Sequence, residues 1–198
     1  GRRLQAALAL ERPGLDALFE SGAYSARLAR GYLLEMTHFV RAAASHIGAA
    51  IAHAHDDADV RLALAEYLEE EYWHSELMET GLRAAGLTDS EIARAVPLPL
   101  TAAIINSWRH AAHTDVLLYG CLIAITESGP DDASQAQALF QKTVAQGILP
   151  EAAWRPYFEH MLGDGDCDHR ALGMRIARSE ASLSCERCES LRRAVLLH

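Results

Sequence analysis

The stretch Tyr67–Met78 combines acidic, imidazole and aromatic side chains at a spacing that suits metal binding. On a helix, which turns about 100° per residue, His74 lies about 60° round from Glu71, so a carboxylate and an imidazole share one face. Helical bundles use Glu-x-x-His in this way to present an oxygen and a nitrogen ligand to a metal in their core. The alternative is a solvated acidic run that happens to include a histidine.

A second dense cluster runs from His160 to His169 and contains Asp164 and Asp166. Asp166-x-x-His169 repeats the carboxylate–imidazole spacing of the first cluster. Two glycines within three residues, at 163 and 165, each lower helix propensity by about 1 kcal/mol relative to Ala, so we expect a helix break there. The break would place Asp166, rather than Asp164, beside His169. Under the alternative interpretation, the acidic residues cap the next helix and His169 is incidental.

Glu127 lies at the end of an apolar segment, residues 117–127, that should be buried. An isolated ionised carboxylate is costly in apolar surroundings, and the dipole at a helix C-terminus disfavours it further. Glu127 must therefore either reach water at the helix end or pair with a cation. A metal ion would compensate for both costs.

The elements that must position these residues are all predicted to be helices, because no strand-like alternation occurs and the start and stop signals are those of helices. A kink is expected near Pro156. With half of its 198 residues hydrophobic and no linker, the chain is predicted to form one domain, residues 1–198. The predicted helices are 4–11, 15–20, 24–55, 60–85, 88–95, 101–128, 130–146, 151–161 and 166–197.

Four histidines lie on the predicted helix 24–55: His38, His46, His53 and His55. We expect them to form hydrogen bonds within or beside the core. A role for one of them as a metal ligand or substrate contact is the alternative.

Charge and cysteine content restrict the partners and the compartment. The formal net charge of −9 and the lack of a basic stripe argue against nucleic acid or an anionic membrane as partner. No apolar run reaches 18 residues and no signal-peptide pattern is visible, so we expect a soluble, cytoplasmic protein.

The four cysteines do not form a secreted disulfide framework. Cys185-x-x-Cys188 lacks a second ligand pair for zinc, which leaves packing as its expected role and redox chemistry as the alternative.

The order of the clusters resembles that of the heme-oxygenase-like diiron oxidases and oxygenases. The resemblance covers residues 25–180 and rests on Glu71-x-x-His74, on Glu127 after Tyr119-Gly120, and on the cluster around His160. It implies an all-α, heme-oxygenase-like bundle of about seven or eight helices. This family often has a carboxylate seven residues before the first-cluster histidine, where this chain has Tyr67.

The resemblance also implies a function. Similar proteins use non-heme iron to activate O2 and oxidise small molecules such as amines, amino acids or fatty acids. Two iron ions are expected, with manganese as the alternative metal, and Tyr67 and Trp73 are candidates to line the site. The chain could form a homodimer. The expected metal ligands are Glu71, His74, Glu127, His160, Asp166 and His169.

Relatives of the fold include thiaminase-type and pyrroloquinoline-quinone-synthase-type enzymes. An alternative function is therefore a metal-free enzyme of one of these types, using Cys121 or a histidine of the cavity. A further alternative is a non-catalytic binding protein on the same fold. Metal content separates the iron enzyme from both.

Overall fold

The computed structural model describes residues 22, 24–54, 57–127, 133–163 and 169–178. These residues form helices joined by short turns, and no strand occurs among them, which confirms the predicted all-α, heme-oxygenase-like class. No helix in these ranges is both long enough and apolar enough to cross a membrane. The predicted helices before residue 21 lie outside the described residues.

The helices are numbered here in chain order. Several begin where the sequence offers a side-chain cap: Ser25, Asp57 and Thr88 each accept a hydrogen bond from a backbone N–H three residues on, and Thr88 forms a capping box with Glu91. The helices are α1 Ala26–His53, α2 Ala58–Glu71, α3 His74–Ala84, α4 Asp89–Arg94, α5 Pro99–Thr114, α6 Val116–Thr126, α7 Ala133–Ala145, α8 Glu151–Gly163 and α9 His169–Ala177.

Two predicted helices are each divided in two. The predicted helix 60–85 is interrupted at Tyr72 and Trp73, between α2 and α3. The predicted helix 101–128 begins two residues earlier, at Pro99, and is interrupted at Asp115. Asp115 adopts an extended backbone (φ −157°, ψ 89°), and its side chain accepts a hydrogen bond from the Leu118 N–H at 3.1 Å. An N-cap directly before an apolar run thus starts a new helix.

α1 contacts two separate hydrophobic cores along its length. Its C-terminal half packs with α2, α5, α6 and α9 in the first core, which includes the fully buried Ile47, Leu64 and Ile123. Its N-terminal half packs with α3, α7 and α8 in the second core, which includes Leu82 and Trp154. Since α2 belongs to the first core and α3 to the second, the α2–α3 junction lies where the two cores meet.

Glycines allow two pairs of helices to approach closely. A Cβ added at Gly81 of α3 would lie 2.7 Å from the Ala153 carbonyl oxygen of α8. A Cβ at Gly173 of α9 would lie 2.4 Å from the Ala124 nitrogen of α6, and one at Gly120 of α6 would lie 2.6 Å from a side-chain carbon of Ile176. Real Cβ atoms essentially never come within 3.0 Å of such neighbours. The α3–α8 and α6–α9 contacts therefore require glycine, which has no side chain, at these positions.

Candidate metal centre

The candidate centre is built around the α2–α3 junction, where α2 ends at Glu71 and α3 begins at His74. Trp73, between them, has φ −98° and ψ −7°, and its carbonyl accepts hydrogen bonds from the N–H groups of Glu76 and Leu77 at 3.1 and 3.3 Å. The interruption stays in the right-handed region of backbone conformation. Glu71 and His74 therefore remain side by side, with Glu71 Oε2 3.0 Å from His74 Nδ1.

His160 of α8 joins these two residues, and the three together (Glu71, His74, His160) are called here the imidazole-rich group. One potential ligand atom from each residue lies within 4.8 Å of those from the other two. The rings of His74 and His160 meet edge to face, with centroids 4.3 Å apart. Because His74 starts α3 and His160 lies near the end of α8, the close α3–α8 contact at Gly81 brings the two rings together.

A second group of potential ligands consists of Glu71, Glu127 and His169, and is called here the carboxylate-rich group. His169 Nδ1 lies 3.7 Å from Glu71 Oε1 and 3.8 Å from Glu127 Oε2. Glu127 follows the last residue of α6, and His169 is the first residue of α9. The close approach of α6 and α9 at Gly173 therefore brings a carboxylate and an imidazole from distant parts of the chain next to each other.

Tyr67, one turn before Glu71 on α2, contacts the carboxylate-rich group. Its O–H donates a hydrogen bond to Glu127 Oε1 at 3.0 Å, and its ring packs edge to face on His169 with centroids 4.8 Å apart. Burial raises the pKa of Tyr67, and the charges of Glu127 and Glu71 raise it further, so the phenol remains a donor. For Glu127, burial acts to raise the pKa, but His169, His160 and the Tyr67 hydrogen bond outweigh it and lower the pKa. Glu127 is therefore ionised.

His169 is surrounded by carboxylates. Its Nε2 lies 2.5 Å from Glu70 Oε2, which is hydrogen-bonding distance, while its Nδ1 lies on the side of Glu71 and Glu127. Burial acts to lower the pKa of His169, but Glu127, Glu70 and Glu71 raise it to about 9. In the absence of a metal, a proton on this imidazole balances part of the negative charge. A bound cation would balance the same charge.

Glu71 belongs to both groups, and its surroundings fit a metal ion. The residue is only 5% exposed, and its Oε1 is buried without a hydrogen-bond partner among the described residues. A buried carboxylate oxygen without a donor costs free energy, and a cation on that side of Glu71 would remove the cost. The donor set of carboxylate oxygens and imidazole nitrogens suits Fe(II) or Mn(II).

Five of the six predicted ligands thus lie together: Glu71, His74, Glu127, His160 and His169. Asp166 and its alternative Asp164 lie outside the described residues. Glu70 was not predicted to take part, since its spacing from His74 gives no indication of its contact with His169, 99 residues away.

Of the two aromatic residues expected to line the site, Tyr67 contacts the carboxylate-rich group, whereas Trp73 is 61% exposed. Cys121, which the metal-free alternative would use, is half-buried on α6 and belongs to neither ligand group.

A family model described as "iron-containing redox enzyme" matches residues 30–194. The chain belongs to this family. The match spans every described residue of both ligand groups and confirms the resemblance inferred from the sequence. A search of curated proteins finds no match. The family is iron-containing and redox-active. This agrees with the carboxylate and imidazole donors that meet at Glu71.

Proposed function

We propose that this protein is a non-heme, diiron, O2-dependent oxidase or oxygenase that acts on a small organic substrate such as an amine, an amino acid or a fatty acid. The observation that carries the proposal is the position of Glu71, a buried carboxylate shared by two groups of potential ligands. A carboxylate between two such groups can bind two metals at once, as in other helical bundles with paired metals.

In this proposal the imidazole-rich group would hold one iron and the carboxylate-rich group would hold the other, and Glu71 belongs to both groups. Asp166 is proposed as the sixth ligand, from its spacing to His169. Each group supplies few enough side chains to leave coordination positions for O2 and substrate. When bound, the iron pair supplies the electrons and the coordination sites for O2 activation.

The surrounding residues fix the orientation of the ligands. Glu70 accepts the Nε2–H of His169, so that with a metal bound the lone pair of Nδ1 would face Glu71 and Glu127. Tyr67 donates to Glu127 and occupies one of that carboxylate's oxygens, which leaves the other oxygen, Oε2, facing His169. The side chains of His169 and Glu71 are only 3% and 4% exposed, which strengthens the polar contacts that these two residues make.

An anaerobic titration with Fe(II), followed by exposure to O2, tests the proposal. The iron-loaded protein should take up O2 faster than the same concentration of Fe(II) in buffer, with an absorbance change that follows uptake. His74→Ala should lose this fast uptake, whereas His110→Ala, which removes an exposed histidine of α5, should keep it. Equal O2 uptake by protein and buffer would contradict the proposal.

A further inference from the structure

A cavity of about 250 Å³ lies between α1 and α5, and it shares no residue with either ligand group. Arg41 lines it from α1, while Asn106 and Arg109 line it from α5. None of the described lining residues is acidic, although the chain as a whole carries a net charge of −9. A concave, cationic surface on an acidic protein favours an anion.

The two arginines of the cavity differ in what they contact. Arg41 is held in place, because its guanidinium pairs with Glu79 Oε1 at 2.7 Å and contacts the Ile92 carbonyl at 3.5 Å. Arg109 is exposed and has no ion-pair partner among the described residues. The cavity therefore combines a pre-positioned guanidinium with one whose charge no protein carboxylate neutralises. A guanidinium presents paired N–H donors that match the oxygens of a carboxylate or a phosphate.

His38 adds an unsatisfied hydrogen-bonding group to the cavity wall. The residue is 9% exposed, and within the described chain its Nε2 is buried without a hydrogen-bond partner. The nearby acid Glu35 does not fill this role, since its Oε2 accepts the backbone N–H of Leu98 at 3.0 Å. Buried polar groups are rarely left without partners, so the Nε2 of this imidazole is free to bond an oxygen atom of a molecule in the cavity.

The rest of the lining is apolar and limits what can bind. Pro97, Ala102 and Ile105 form this part of the wall. The volume is slightly below the range of about 300–1,000 Å³ typical of small-molecule sites. The occupant should therefore be small, with an oxoanion at one end and a short apolar part at the other.

We propose that this cavity is a binding site for a small oxoanion, a carboxylate or a phosphate, held by Arg41, Arg109, Asn106 and His38. The site is separate from the candidate metal centre, and the proposal does not rest on the proposed redox function.

Calorimetric titrations of the iron-loaded protein with inorganic phosphate and with propionate test this site and distinguish the two chemistries. The ionic strength is held constant, since salt screens charges over a Debye length of about 8 Å at 0.15 M. At least one probe should bind the wild type with a Kd of about 1 mM or tighter. Arg109→Gln should weaken its binding tenfold or more. His38→Phe, which keeps an aromatic ring but carries no ring nitrogen, should also weaken binding.

Arg27→Gln is the matched control. Arg27 is an exposed arginine of the same helix, 14 residues before Arg41 and therefore roughly 21 Å away along the helix axis. This variant should bind within twofold of the wild type. The proposal is overturned if neither probe binds the wild type, or if Arg109→Gln and His38→Phe both bind as the wild type does, because the anion would then occupy another site, the metal centre included.

Discussion

The imidazole-rich and carboxylate-rich groups share Glu71 but are assembled in different ways. The first needs only the three-residue spacing of Glu71 and His74 and one contact between helices of the second core, α3 and α8. The second combines α2, α6 and α9 of the first core and brings Glu127 and His169 together across 42 residues of chain. Local spacing therefore predicts most of the first group, whereas the second depends on how closely two helices pack.

The groups also differ in charge. Two imidazoles face one carboxylate in the imidazole-rich group, while in the other His169 contacts Glu71, Glu127 and Glu70. The carboxylate-rich group therefore depends more on a cation for its electrostatic balance. This contrast suggests experiments that perturb one group and leave the other unchanged.

The largest separate effects should come from removing one ligand of each group. His74→Ala and Glu127→Ala should each reduce the iron content from about two to about one per chain, because each removes a ligand from one group only. Helicity should change little, since neither side chain belongs to the two hydrophobic cores. Iron analysis after desalting, with circular dichroism for helicity, measures both. If both variants kept two irons, the assignment of these ligands would be wrong.

A substitution at a packing position should affect the carboxylate-rich group alone. Gly173→Ala places a Cβ 2.4 Å from the Ala124 nitrogen, so α9 must shift, at a cost of about 1–3 kcal/mol in the free energy of unfolding. His169 lies one turn before Gly173 and should move with it, which lowers the iron content of its group. Urea unfolding and iron analysis together measure the two consequences.

Gly48→Ala is the control for this packing effect. Gly48 lies within α1, and a Cβ there meets nothing within 4 Å. Alanine should therefore stabilise the protein by up to about 1 kcal/mol and leave the iron content unchanged. Equal behaviour of the two glycine variants would show that α6–α9 packing does not position His169.

Glu70 should influence the carboxylate-rich group without binding metal itself. Glu70→Gln removes the charge of the group that accepts the His169 Nε2–H, so the iron affinity of this group should fall by about 10–100-fold. Glu69→Gln, at the exposed neighbouring position, should have no effect. Competition with a chelator measures both affinities. Equal affinities in the two variants would remove Glu70 from the site.

The smallest effect concerns His46, a buried histidine with no carboxylate against it, which contrasts with His169. Burial, with Arg109 as a second cause, lowers its pKa to about 4, and its Nδ1 is 2.7 Å from the Tyr119 hydroxyl. In the unfolded chain the His46 imidazole has its ordinary pKa of about 6.5, so the unfolded state takes up the proton before the folded state as the pH falls. The favourable contribution of the lowered pKa to the free energy of unfolding is therefore present above pH 6.5 and lost towards pH 4. Between pH 7.5 and 5 the loss should be about 2 kcal/mol.

Urea unfolding of the wild type and of His46→Gln at both pH values checks this prediction. Glutamine cannot titrate, so the wild type should lose about 2 kcal/mol more than the variant between pH 7.5 and 5. An equal loss in the two proteins would show that His46 does not titrate with a lowered pKa.

The sequence predicted the helical class and much of the site for identifiable reasons. The capping box at Thr88, the burial of the apolar segment after Val116, and the Glu71–His74 pair all follow from spacing within a few residues. The helix start at Asp115 was not predicted, although an aspartate directly before an apolar run is an N-cap signal.

Other features had no local signal. The interruption at Trp73 has no side-chain cap, and neither Gly nor Pro marks it. The contact between Glu70 and His169, and that between His46 and Tyr119, join residues 99 and 73 positions apart. Helical spacing cannot relate residues on different helices, so these contacts depend on tertiary packing.

Iron analysis combined with Mössbauer and EPR spectroscopy tests whether Glu71 joins the two groups into one two-metal centre. The wild type should hold about two irons per chain that are magnetically coupled, as expected for metals that share a carboxylate. Glu71→Ala should lose most of both irons, because the residue belongs to both groups. One iron per chain in the wild type, two uncoupled irons, or a Glu71→Ala variant that keeps two irons would show that Glu71 does not join two metals.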